Sequence, residues 1–129
     1  MNQPTKWFTI NELNTHKCEI TPEIEANLDV LIERLSQVRD AWGKPMTVTS
    51  GLRSQADQAR INPLAPKSNH LIGAAADILD EDGSLKKWVG DNLPLMEHIG
   101  LWFEAFESTP TWCHMQIFPP KSGKRIFIP

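Results

Sequence analysis

What the chain lacks narrows the field first. No window of about 18 apolar residues occurs, so no segment is a candidate membrane helix and no membrane insertion is expected. Cysteine is scarce: Cys18 and Cys113 are too few for a disulfide scaffold and read as ordinary thiols. Positive charge is not in excess, with 13 Lys and Arg against 16 Asp and Glu and a pI near 5.8. That removes the general electrostatic reason to bind nucleic acid or an anionic membrane. The one basic cluster, Lys121, Lys124 and Arg125, reads as a turn between two terminal strands. The opening residues Met1-Asn2-Gln3-Pro4 lack the charged and then apolar regions of a signal peptide, so synthesis in the cytoplasm is expected. Repeats, low-complexity tracts and linkers are missing too, and 129 residues suit one domain, 1–129, with one core.

What is present reads as α+β. Thr21-Pro22 opens an apolar stripe through Ile24, Leu28, Leu31, Ile32, Leu35, Val38 and Trp42, which Gly43 ends; the spacing predicts a helix over Pro22 to Trp42. Pro45 to Thr49 is short, alternating and β-branched, a strand entering the turn Ser50-Gly51. A short helix is expected over Ser54 to Arg60, a loop over Asn62 to Asn69, and a buried strand over Gly73 to Leu79. The acidic turn Asp80 to Gly83 follows, with Ser84 as cap of a helix through about Asp91. Leu101 to Phe106 and Trp112 to Phe118 read as a hairpin with a loop of about five residues. Thr9 to Leu13 is a capped turn. The expected architecture is a small, mostly antiparallel sheet that carries the site, with helices packed on one side.

Two histidines stand in unusual surroundings. His70 is followed by small residues and then by Asp77, a carboxylate set among Ala75, Ala76, Ile78 and Leu79. Burying it costs several kcal/mol unless something compensates, and a metal ion is one such compensation. The Gly and Ala run also leaves room for another chain or a ligand to approach the backbone. His114 lies mid-strand between large apolar residues. Two imidazoles and one carboxylate leave a tetrahedral zinc with an open fourth position for water. Strand alternation puts Cys113 on the opposite face, a poor fourth ligand.

These pieces resemble a known family. Ser50-Gly51-Leu52-Arg53-Ser54, then Ser68-Asn69-His70 through Asp77, then Trp112-Cys113-His114 are similar to the zinc D-alanyl-D-alanine carboxypeptidases. That group includes the VanX and VanY types and the phage L-alanyl-D-glutamate endopeptidases. The resemblance implies one zinc per chain held by His70, Asp77 and His114. It implies that Arg53 pairs with a substrate carboxylate or the developing oxyanion, and that Ser68 helps position substrate. Trp112 and Trp102 are near enough to line such a site, and a monomer is expected. Arg53 has a plainer alternative as ion-pair partner of the acidic turn.

Two positions depart from the family's pattern. Ala74 stands where many relatives have a basic residue, and Thr111 where several place the general base, three residues before the last histidine. Hairpin geometry offers a replacement: a turn centred near Thr109 sets Glu104 across from His114 on the same face, with Glu107 the second choice. The implied activity is hydrolysis of peptide bonds in peptidoglycan stem peptides by an endolysin or virion-associated enzyme, reaching the wall through a holin or on a virion. Two alternatives are a D-Ala-D-Ala carboxypeptidase or dipeptidase acting on precursors, and a zinc-retaining module without catalysis.

Overall fold

The computed structural model describes residues 7–63 and 68–129. Part of the loop expected over 62–69 lies outside those residues. Thr9 caps a single turn, α1 (Ile10–Leu13), by accepting from the Glu12 N–H. The long helix α2 runs Pro22–Trp42 as its stripe requires, with the Thr21 side chain accepting from the Ile24 N–H and Gly43 as C-cap. β1 (Val48–Ser50), α3 (Gln55–Ile61), a 3-10 turn (Asn69–Ile72) and β2 (Ala75–Leu79) follow. Then come α4 (Ser84–Asp91), α5 (Leu93–Ile99), β3 (Trp102–Glu104), a 3-10 turn (Phe106–Ser108), β4 (Trp112–Gln116) and β5 (Ile126–Phe127). Asn69, expected in the loop, instead opens the 3-10 turn that carries His70, and α5 is an element the sequence reading did not contain.

The strands form one sheet in the order β1-β2-β4-β3-β5, antiparallel throughout except for the parallel β3–β5 edge. β2 and β4 are central, and their register pairs Asp77 with His114 directly. On β3–β4, Trp102 pairs with Gln116 and Phe103 with Met115. One face of the sheet packs into the core: Ala76, Ile78, Phe103, Cys113 and Met115 join Leu28, Leu31 and Leu35 of α2, Leu85 and Val89 of α4, and Met96 and Ile99 of α5. Because successive strand residues alternate, Asp77, His114, Gln116 and Glu104 fall on the other face. The burial of Cys113 in the core, where desolvation raises its thiol pKa, fits the strand alternation.

Two close approaches pin loops to this frame. Gly73, at φ 74°, leaves α2 so near that a Cβ would stand 3.0 Å from Leu28 Cγ and 3.1 Å from the Ile24 carbonyl oxygen. Gly73, among the small residues after His70, thus makes room for the chain's own helix. Gly51 is tighter, since a Cβ there would lie 2.1 Å from the Leu13 carbonyl oxygen, which accepts the Leu52 N–H at 2.7 Å.

The start of α4 is capped from further back than expected. Asp80, not Ser84, accepts the Leu85 and Lys86 N–H groups, at 3.0 and 2.9 Å. Buried Lys86 donates to the carbonyls of Thr109 and Trp112, tying α4 to the β3–β4 turn. Removing the Asp80 carboxylate strips two cap bonds and leaves the Lys86 ammonium without its nearby anion, 3.9 Å away. Asp80→Ala is expected to lower the unfolding free energy by about 2–4 kcal/mol in urea titration, against less than ~0.5 kcal/mol for exposed Glu81→Ala.

Candidate metal centre

Three side chains from separate elements meet on the open face of the sheet. Asp77 comes from β2, His114 from its partner β4, and His70 from the 3-10 turn that Ser68 caps by accepting the His70 N–H at 3.1 Å. All three are buried, and one donor atom from each lies within 4.8 Å of the others. Asp77 Oδ1 is 2.9 Å from His114 Nδ1 and 3.4 Å from His70 Nε2. Ligands of a tetrahedral ion at bond lengths near 2.0–2.1 Å stand roughly 3.3 Å apart, so the spacing suits a metal.

The outer hydrogen bonds settle which ring nitrogen faces inward. His70 Nδ1 is 2.7 Å from the Gly51 carbonyl, which can only accept, so Nδ1 carries the proton and Nε2 presents a lone pair. The Gln116 amide donates to the Phe118 carbonyl at 2.8 Å, so its Oε1 accepts from His114 Nε2, 2.7 Å away. His114 Nδ1 is then the inward lone pair. Two imidazole lone pairs and a carboxylate oxygen converge with no donor among them, a set that calls for a cation, either a metal ion or an added proton. The protonation tendencies agree. Burial alone would push the Asp77 carboxyl up, but the contacts from His114 and His70 outweigh it and hold it well below the usual carboxylate range. Burial would push His114 down, and its contact with Asp77 reverses that and raises it.

Arg53 is held on the site itself, not on the acidic turn. Only 8% exposed, it donates from Nη2 to Asp77 Oδ2 at 3.0 Å, from Nη1 to Gln58 Oε1 at 3.0 Å and from Nε to Ser50 Oγ at 2.9 Å. Its anionic partner is Asp77, not the acidic turn. The irregular β1–β2 register, with Val48 opposite Ile78 and Ser50 opposite Asp77, brings the Ser50–Arg53 segment alongside that carboxylate. Three of the five guanidinium N–H groups are engaged in these contacts, and the side chain still borders the cleft.

A cleft of about 920 Å³ opens over the three donor residues. Ser68, Glu104 and Trp112 line it. Continuing the β3–β4 register by one residue sets Glu104 opposite His114, as the hairpin reasoning anticipated, and its negative charge helps raise the His114 pKa. Glu107 is exposed on the turn beyond. Thr111 is exposed too, and its carbonyl accepts the Asp80 N–H. Ala74 is fully buried. Trp102 lies beneath the Arg125 guanidinium, 4.3 Å from its ring centroid. Gln116 and Gly51 were missed as supports of the two imidazoles. Gln116 had a readable signal, since two residues along a strand return to the same face as His114.

Gly51→Ala is expected to destabilise the fold, because backbone rather than a movable side chain blocks the new methyl. It is also expected to weaken metal affinity by about 10- to 100-fold, since the carbonyl that orients His70 shifts with it. Thermal unfolding and chelator competition measure the two effects separately.

Residues 6–89 match the family model described as Peptidase M15, a span that holds Arg53, Ser68, His70 and Asp77, with His114 delivered from outside it by the β2–β4 pairing. The fold is similar to the crystal structure of Serratia marcescens L-Ala D-Glu endopeptidase ChiX, with a TM-score of 0.52 at 19% identity over 87% of this chain and 99% of that one. With its family model matched over most of its length and the donor set intact, the chain belongs to the Peptidase M15 family.

Proposed function

We propose that the chain is a zinc peptidase that cuts peptide bonds in peptidoglycan stem peptides, serving as a phage-type endolysin or virion-associated enzyme. The observation that carries the reading is Glu104 beside the His70, Asp77 and His114 donors: a carboxylate able to move protons, on the sheet face that holds the ligands. It supplies what Thr111 lacks and favours an enzyme over a module that kept only the metal. The L-Ala D-Glu endopeptidase of similar fold supports the substrate class.

His70 Nε2, Asp77 Oδ1 and His114 Nδ1 would hold the zinc. Bound there, zinc supplies Lewis acidity and lowers the pKa of a water to about 7. Glu104 takes a proton from the attacking water and returns it to the leaving amine. Arg53 keeps the Asp77 carboxylate turned so that Oδ1 faces the imidazoles, and its remaining N–H groups meet a substrate carboxylate or the developing oxyanion. Ser68 and Trp112 position the peptide against the sheet.

Protein purified without a histidine tag is expected to hold about one equivalent of zinc, and His70→Ala and His114→Ala to lose most of it. Zinc retained undiminished by both variants would sink the ligand assignment. Glu104→Gln is expected to keep its zinc while turnover falls by about 10² to 10⁴, with Glu107→Gln close to wild type. Purified sacculi, digested and read by mass spectrometry for new termini, test the substrate: new amino termini at D-Glu mark an endopeptidase, free D-Ala a carboxypeptidase. Intact sacculi beside an active-site zinc would refute the peptidase reading.

A further inference from the structure

The basic cluster that reads in sequence as a simple turn is divided by the fold. Arg125 is spent on structure, stacked on Trp102 and donating to the Leu101 carbonyl at 3.0 Å. Lys121, by contrast, borders the cleft. Of the five other ionisable side chains lining it, His70, Asp77 and His114 form the metal centre, Arg53 is paired with Asp77, and Glu104 is negative. Lys121 makes no ion pair among the described residues. Of the two cationic residues bordering the cleft, Arg53 has Asp77 as its anionic partner and Lys121 has none among the described residues.

Its mounting is stiff. Pro119 and Pro120 precede it, each with φ restricted by its ring, and the turn closes with the Gly123 N–H donating to the Pro120 carbonyl at 3.0 Å. The same segment is tied to the metal centre, because Gln116 bridges His114 Nε2 and the Phe118 carbonyl. Such a turn fixes where the Lys121 backbone stands at the cleft rim, and the flexible four-carbon stem carries the ammonium to a ligand from there.

We propose that Lys121 recognises a carboxylate on the substrate peptide near the scissile bond, so that the cleft selects peptides bearing a free carboxylate there. This rests on the peptidase reading and names a feature of its substrate. Stem peptides offer such a group, since D-Glu joined through its γ-carboxyl leaves its α-carboxylate free.

Two peptides separate the possibilities: L-Ala-γ-D-Glu-L-Lys, and its counterpart with the D-Glu α-carboxylate converted to a carboxamide. Wild type is expected to favour the carboxylate peptide in kcat/KM by about tenfold, the order of loss when one charged hydrogen bond is removed at a partly exposed site. Added salt is expected to shrink that ratio. Lys121→Gln is expected to bring the ratio close to one, chiefly through KM, with Lys121→Arg restoring it and Lys124→Gln leaving it as in wild type. A full preference surviving in Lys121→Gln overturns the proposal, as does a wild type that cleaves both peptides equally. Should wild type cleave neither, the L-Ala–D-Glu endopeptidase form of the peptidase reading falls on its own. Calorimetric titration of the two peptides against wild type and Lys121→Gln then decides Lys121 by the same ratio, a lysine-dependent preference supporting it and none overturning it.

Discussion

A carboxylate set into the middle of a sheet governs this molecule. Asp77 lies in a strand buried on both faces, where an unpaired charge would cost several kcal/mol. Its two oxygens are committed separately, Oδ2 to the Arg53 guanidinium and Oδ1, beside the convergent imidazole lone pairs, to the cation that such a set calls for. The rest of the local structure serves that division. The uneven β1–β2 register delivers Arg53, the β2–β4 register places His114 directly opposite, and the glycine at 51 lets a backbone carbonyl reach His70. Truncating Arg53 would leave a buried anion unpaired, so its effect on activity combines any substrate contact with the loss of this support.

Much of this was legible because local rules and tertiary needs coincide. Thr21-Pro22 and Gly43 mark both ends of α2, and the stripe between them is the buried one. The placement of Glu104 follows from pleat geometry once a turn near Thr109 is assumed, and the observed pairs of Trp102 with Gln116 and Phe103 with Met115 are the ones that assumption requires. The sequence also marked His70, Asp77 and His114 as a group, which the fold brings together.

The remainder depended on contacts between distant segments. α5 is only seven residues, with a proline near its start, and it is held by packing of Met96 and Ile99 into the core rather than by a long periodic stripe. β5 is two residues long and joins β3 in parallel, a pairing too short to leave a periodic signature. The partner of Arg53 stands 24 residues away. Nothing in local composition favours Asp77 over the acidic turn, where three carboxylates crowd together. Asp80 displaced Ser84 as the α4 cap because its side chain reaches two N–H groups at once. The small residues after His70 suggested room for a visitor, and at Gly73 the helix behind fills it.

Each ligand is steadied by a partner outside the trio: His70 by the Gly51 carbonyl, His114 by Gln116, Asp77 by Arg53. Zinc-finger modules, in contrast, spend the free energy of metal binding on gathering their ligands and stay unfolded without it. Here the hydrophobic core and the sheet ladder hold the three donor residues together, so a metal bound among them would not be what folds the chain. An ion entering the cleft would meet donors already braced on the sheet, so its binding would require little rearrangement of the chain.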